Sequence, residues 1–379
     1  MKIAFVCPYD YFRPGGVQNH IRSIARALVV EGHDVTVIAP RIAGNEGQPE
    51  NGVTVTLVGS GRRMNFNKTQ MEFASISGQE KQKLKRWLSE QKIDVFHFHT
   101  PWASIMSLQL LSWSKGSARI ATFHDTPPDT FSGAVTRKVF KVLSFLLYRY
   151  LDRVIAVSEA PARHLYKSGQ KPIHIVPPCF DLSPPTIISR HANETRIRIF
   201  FVGRLEPRKG VADLIRAFLL LTDEGLPIHL TIAGDGDELD SLKALAGKHL
   251  GERIVFLEAV SDQEKNESFS HSDIFCAPAL YGESFGIVLV EAMNSSLPVL
   301  GGDNFGYRSV LQEKSDTCLF KPGDVSNLAQ KLKKLVLDEN LRKELGEWGQ
   351  MEAEKYDCKN WLQPLLEHYN AAIKVKAAG

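Results

Sequence analysis

Residues 2–39 read "KIAFVCPYDYFRPGGVQNHIRSIARALVVEGHDVTVIA", and this stretch decides the fold. It opens on an apolar run, residues 3–7, without the polar alternation of a half-exposed strand, so the strand is covered on both faces. A polar loop ends in Gly15 and Gly16. Val17, Ile21, Ile24, Ala25, Leu28 and Val29 then recur at helical spacing until Gly32 stops them. A second apolar run, residues 35–39, follows at once. Strand, loop, helix and strand in this order form one winding of a parallel sheet.

The same unit repeats along the chain. Apolar runs at 53–58, 95–99, 120–123, 154–157 and 173–176 alternate with helical patterns. At "DLSPPTIISRHANETR" (181–196) proline, serine and polar residues take over, which marks a linker. The alternation restarts at 197–202, 229–233, 254–257, 274–278, 298–301 and 318–320. The fold class is therefore α/β, with two Rossmann-like doubly wound domains expected to face one another across a cleft. Ligands of such sheets bind beyond the carboxyl ends of the strands, so the functional residues belong in strand-to-helix loops.

A chain of 379 residues has room for two domains of ordinary size. With 43% hydrophobic and 23% charged residues it is neither disordered nor fibrous, and a net charge of +3 does not call for nucleic acid as a partner. The five cysteines (Cys7, Cys179, Cys276, Cys318, Cys358) are scattered and never spaced CxxC. That reads against a disulfide framework or a structural zinc site and in favour of a reducing compartment. The N-terminus lacks a basic leader followed by an apolar core, and runs such as "VLSFLLY" (142–148) are too short to span a bilayer. A cytoplasmic location is expected.

Three loops carry candidate chemistry. In "CPYDYFRPGG" (7–16), Gly15 and Gly16 precede a helix start, where backbone amides and the helix dipole favour an anion; a plain glycine turn is the alternative. In "FVGRLEPRKG" (201–210), Arg204 and Lys209 lie between strand and helix, fit for a diphosphate or simply solvated. In "YGESFGIVLVEAM" (281–293), Glu283 sits in the loop, Phe285 and Gly286 lead into a helix, and Glu291 lies along it. Eight residues of helix rise about 12 Å, so the two acids could meet separate points of one extended ligand. Alternatively Glu283 complements the helix dipole and Glu291 is solvated. His97 and His99 of "HFHT" share one face of a strand, but no third metal ligand is evident, so they read as polar residues at a strand end.

In this order and at these separations, "RPGGVQNHIRSIARAL", "GRLEPRKG" and "YGESFGIVLVEAM" resemble the retaining GT-B glycosyltransferases of family 4, in particular the phosphatidylinositol mannosyltransferase group. The resemblance covers nearly the whole chain. It implies GT-B architecture: residues 1–182 with 359–379 as the acceptor-side domain, and 193–358 as the nucleotide-sugar domain. It further implies transfer of a hexosyl unit from a GDP- or UDP-sugar to a glycan or lipid-linked acceptor, without cofactor or metal. Arg204 and Lys209 would neutralise the diphosphate, with Gly15, Gly16, Phe285 and Gly286 beside it. Glu291 would bind the ribose, Glu283 the transferred sugar, and His124 of "TFHDT" would lie at the reacting centre. Tyr9, Arg63 and Asp125 are acceptor candidates. Asp125 and Asp129 depart from the group, which carries a hydroxyl residue and a lysine there; two carboxylates would repel a phosphate head group. Lys81, Lys83, Lys85 and Arg86, beside Leu84, Trp87 and Leu88, suggest a basic helix resting on an anionic membrane, peripheral on the cytoplasmic face of the inner membrane. A sugar-nucleotide epimerase of similar fold and a non-catalytic sugar-nucleotide-binding module are the rival readings.

Overall fold

The computed structural model describes residues 1–13, 15–42, 52–66, 69–127, 131–167, 169, 171–182 and 196–378, the side chains of 62–66, 69–73, 131 and 132 excepted. Two compact units emerge, Met1–Asp181 with Tyr356–Gly379, and Leu182–Lys355. Most of the linker stretch (183–195) lies outside the described residues.

In the first unit the strands are β1 (Lys2–Val6), β2 (Asp34–Pro40), β3 (Thr54–Val58), β4 (Ser60–Phe66), β5 (Thr69–Ser75), β6 (Val95–His99), β7 (Ala118–Phe123), β8 (Arg153–Ala156) and β9 (Ile173–Ile175). All but β4 and β5 form one parallel sheet of seven strands, ordered β3-β2-β1-β6-β7-β8-β9. The helices are α1 (Gly16–Val30), α2 (Gly78–Gln91), α3 (Ile105–Trp113), α4 (Phe131–Tyr148) and α5 (Glu159–Ala162). Alternation along β1 feeds two cores. Ile3 and Phe5 pack with Ile21, Ile24 and Leu28 of α1, whereas Ala4 and Val6 pack with Leu84, Met106 and Leu110 of α2 and α3. The antiparallel hairpin β4–β5 was not expected from the sequence.

The second unit holds β10 (Ile197–Val202), β11 (Ile228–Ala233), β12 (Ile254–Leu257), β13 (Ile274–Ala277), β14 (Val299–Gly302) and β15 (Leu319–Phe320). They form a second parallel sheet, ordered β12-β11-β10-β13-β14-β15. Its helices are α6 (Val211–Asp223), α7 (Leu239–Ala246), α8 (Asp262–Ser270), α9 (Ile287–Asn294), α10 (Phe305–Leu311), α11 (Ser315–Cys318), α12 (Val325–Leu337) and α13 (Glu339–Glu354). The last helix, α14 (Cys358–Ala378), belongs to the first unit, where Leu362, Leu365 and Tyr369 join the core beneath α1.

Two expectations are corrected here. Cys179 and Cys358 form a disulfide across a sequence separation of 179, so the cysteine reading fails at this pair and the argument from it to a reducing compartment lapses. Nothing in their spacing could reveal a pair that only the return of α14 brings together. The bond sits where the chain leaves the first unit and re-enters it, beside the paired backbones of Phe180 and Cys358 (Cys358 N to Phe180 O, 2.9 Å). Second, the apolar strip of α2 faces inward. Leu84 is buried, Trp87 and Leu88 pack on the core, and Lys81 and Lys85 lie over the Trp113 ring at 5.9 and 5.1 Å. Lys83 and Arg86 make no such aromatic contact among the described residues, and Arg86 pairs with Glu90.

Peptide mapping of the native protein without reductant should recover the Cys179 and Cys358 peptides joined, and reduction should cost roughly 2–5 kcal/mol of stability. Recovery of both thiols alkylated from unreduced protein would contradict the assignment.

Candidate active site

In the second unit the loops after β10 and β13 are bound to each other, Leu280 N donating to Arg208 O at 2.8 Å. Gly210, at φ +69°, passes so close to the Pro278 carbonyl that a Cβ there would collide with it. Only glycine suits both the left-handed backbone and the approach. The contact sets the side chains of the first loop against Glu283 of the second. Glu283 Oε1 accepts from Lys209 Nζ at 2.8 Å and from Arg208 at 3.0 Å. Buried Glu206 takes Arg208 at 2.9 Å and Arg204 at 2.8 Å. Three cations thus surround two carboxylates, leaving one positive charge in excess.

The electrostatics follow from burial and pairing. Burial alone would raise the Glu283 pKa, but Lys209 and Arg208 outweigh it and hold the carboxyl below its ordinary value, ionised. Burial lowers the Lys209 pKa, an effect Glu283 partly offsets. For Arg208, Glu283 and Glu206 overcome burial and favour the charged form. Arg204, with its side chain 45% exposed, is the accessible cation of the group. Gly286, at φ +113°, opens α9, and a Cβ there would meet Tyr307 Cδ1 at 2.8 Å. Glu291 on α9 pairs with Lys265 Nζ of α8 at 2.8 Å. The Phe285 side chain is buried.

In the first unit Gly15, extended at φ 179°, caps α1, and Gly16 begins it. The loop before it is tied by Gln18 Nε2, which donates to Asp10 O at 3.1 Å, and half-buried Tyr9 lies within it. At the carboxyl ends of β6 and β7 four histidines converge. His97 Nδ1 bonds Tyr369 Oη of α14 at 2.8 Å and its Nε2 bonds Thr122 Oγ1 at 2.7 Å. His99 Nδ1 lies 2.9 Å from His124 Nε2, with the ring planes 23° apart. His20 of α1 stands edge-on to both, its ring bonded to the Cys179 backbone. Thr100, at the strained left-handed φ of 42°, accepts the His124 N–H on Oγ1 at 3.3 Å. One ring nitrogen each from His20, His99 and His124 lie within 4.8 Å of one another.

Burial keeps these imidazoles neutral. It pushes His97 down to about 3 and His20 to about 4, and holds His99 and His124 well below their ordinary value. Asp125 is raised by burial to about 6, with Trp102 Nε1 donating to its Oδ2 at 2.8 Å and holding it back. Trp102 is itself packed on Phe123 and Phe140. The Arg63 side chain and Asp129 lie outside the described residues.

The structure therefore brings Arg204, Lys209 and Glu283 into one cluster, sets Gly286 and Glu291 on the helix that follows it, and gathers His124 and Asp125 at the strand ends of the other unit. Sequence reasoning passed over Arg208, Glu206, Lys265, Trp102, His20 and Tyr369. Arg208 stands next to Lys209 in "EPRKG", and adjacency alone does not tell which cation turns inward; "HFHT" was noticed, but not its meeting with His124.

Two Rossmann-like parallel sheets, one with a charged cluster and one with a histidine cluster at the strand ends, have the fold of the GT-B type of glycosyltransferase. Residues 14–184 match the model of "Glycosyltransferase Family 4" and residues 185–351 that of "Glycosyl transferases group 1". The phosphatidyl-myo-inositol mannosyltransferase of Mycolicibacterium smegmatis is 30% identical over 100% of this chain and 97% of its own. The sulfoquinovosyl transferase SQD2 of Arabidopsis thaliana is 24% identical over 97% of this chain and 73% of its own. Among solved structures, Anabaena HepE in complex with UDP-glucose superposes with a TM-score of 0.74 over 98% of this chain and 100% of that one, at 20% identity, a likeness of fold. The chain belongs to glycosyltransferase family 4 and is a glycosyltransferase.

Because the folded-state pKa of His20 lies below the unfolded value, the unfolded chain takes up the proton first as the pH falls. The stability this gives is complete above about 6.5 and is lost down to about 4, a span worth on the order of 3 kcal/mol. Thermal melts of wild type and His20→Gln across that window should diverge, with the variant the flatter; parallel curves would contradict the buried neutral state.

Proposed function

We propose that the protein transfers a hexosyl unit, with retention of configuration, from a nucleotide-diphosphate sugar to a glycan or lipid-linked acceptor. The observation that carries this reading is the Arg204, Arg208 and Lys209 cluster around Glu283 and Glu206, immediately before the α9 start at Gly286. A diphosphate leaving group gathers negative charge as the glycosidic bond breaks, and fixed cations with one charge in excess stabilise it without reorganising. In this reading Arg204 and Lys209 hold the diphosphate, with Gly286 and the Gly15 and Gly16 turn as backbone partners. Glu291, held by Lys265, binds the ribose. Glu283 is a spacer as much as a ligand: it positions Lys209 and Arg208 and touches the sugar with what capacity remains. His124 meets the sugar at the reacting carbon. No divalent metal is required, since the cations supply the charge.

The named activity of the mycobacterial relative makes a mannosyl donor the first to try. For the acceptor, an indole-bonded carboxyl at Asp125 favours sugar hydroxyls over a phosphate head group, because Asp125 turns anionic as the pH passes about 6. Epimerase and binding-module readings find less support, since family 4 membership speaks for transfer.

Binding of GDP- and UDP-sugars measured by titration calorimetry should weaken at least tenfold in Arg204→Ala. In His124→Ala, binding should persist while transfer falls on the order of 10²-fold or more. Unchanged transfer in His124→Ala would overturn the assignment.

The membrane reading moves to another helix. No described helix is long and apolar enough to cross a bilayer. Helix α4 has no acidic residue, carries Arg137, Lys138 and Lys141, and leaves Val135, Val139, Val142, Phe145 and Leu146 between 42% and 58% exposed. Residues 135, 139, 142 and 146 share one face, and exposed Tyr150 and Tyr166 lie nearby in sequence or packing. Such a helix suits the interface of an anionic bilayer, at the cytoplasmic face where nucleotide sugars occur. Sedimentation with vesicles containing anionic lipid should be lost in Val139→Glu with Val142→Glu and retained when Lys81, Lys83, Lys85 and Arg86 are replaced by Ala. The reverse pattern would return the contact to α2, and loss of self-association in the α4 variant would mean that a second copy covers the face.

A further inference from the structure

We infer that His99 is a positioning residue that fixes the tautomer of His124, so that His124 presents an N–H donor and not a basic nitrogen to the reacting sugar. The geometry is that of two imidazoles sharing one short contact, His99 Nδ1 to His124 Nε2 at 2.9 Å. Two neutral rings bring two protons, and one of them must lie in that contact. If His124 donated it, His99 would carry its own proton on Nε2. That nitrogen is buried and has no hydrogen-bond partner among the described residues. Buried N–H groups without an acceptor are rarer than under-satisfied acceptors, because the lost hydrogen bond is uncompensated. The other arrangement leaves no orphan donor: His99 donates from Nδ1, its Nε2 stays bare, and His124 accepts on Nε2.

His20 follows the same rule, with Nδ1 unpartnered and the ring bonded to the Cys179 backbone. The surroundings favour neutral rings throughout, since His99 is stacked on His97 at 4.6 Å and is fully buried. Of the His99 and His124 pair, only His124 is half-buried, and with Nε2 engaged the nitrogen left for a ligand is Nδ1, bearing the proton.

The chemical consequence concerns the stereochemistry of transfer. Inversion needs a base to take the acceptor proton on the face opposite the leaving group. An Nδ1–H cannot be that base, but it can donate to a sugar hydroxyl or to an oxygen gathering charge. His99 thereby turns a residue that resembles a general base into a hydrogen-bond donor suited to retention. This goes beyond the function proposed above, on which it depends only for the kinetic arm of its test.

The test begins with long-range proton–nitrogen NMR on the full chain labelled with 15N-histidine, assigned through His124→Gln and His99→Asn. His124 should show a protonated Nδ1 and a bare Nε2. His99→Asn, whose amide can still donate from the Nδ1 position, should keep that pattern and most of the turnover. His99→Asp, which only accepts, should drive the His124 proton to Nε2 and lower kcat by on the order of 10²-fold with little change in KM. A His124 proton on Nε2 in the wild type would overturn the inference, as would one equivalent of transition metal bound by the native protein and released in His99→Asn. If the tautomers are as expected but no sugar is transferred from any donor, the proposed function fails while the His99 assignment stands.

Discussion

The cation cluster of the second unit is organised around the buried carboxylate of Glu283. Glu283 is paired with Lys209 and Arg208, which are themselves largely withdrawn from water, and it favours the charged form of both against their burial. Removing Glu283 would leave uncompensated buried charge, a far larger cost than a lost surface pair. The glycines follow from this constraint. Gly210 is the point where backbone passes close enough to the Pro278 carbonyl for the carboxylate and its cations to meet, and Gly286 leaves room for the Tyr307 ring at the start of α9. A second carboxylate, Glu206, shares Arg208 and orients Arg204. What results is a rigid positive cluster, fixed before any ligand arrives, and preorganisation of this kind is what makes charge effective in catalysis.

In the first unit polarity is treated in the opposite way. Four histidines are brought together, and burial keeps them neutral. One unit thus supplies fixed charge and the other supplies neutral, directional hydrogen-bonding groups.

The twin sheets were legible in the sequence because strands covered on both faces are mostly apolar, as 3–7, 35–39, 197–202 and 274–278 are apart from Thr36 and Arg198. The hairpin of β4 and β5 was not, since "SGRRMNF" and "TQMEFAS" mix polar and apolar residues without a clear period. Arg204, Lys209 and Glu283 stood out as charged residues in strand-to-helix loops of a parallel sheet, and Glu291 through the family resemblance of the helix that follows. Their partners did not. Arg208, Lys265 and Glu206 acquire meaning only through distances, and His20, His99, His124 and Tyr369 come from four separate elements whose meeting no local pattern encodes. The Cys179 and Cys358 bond belongs to the same class of long-range fact.

The most direct test of the central claim is a crystal structure of the protein with a nucleoside diphosphate. The diphosphate oxygens should lie within hydrogen-bond reach of Arg204 and Lys209, with the α9 start beside them and the ribose on Glu291. A diphosphate bound elsewhere, with the Glu283 cluster untouched, would contradict it.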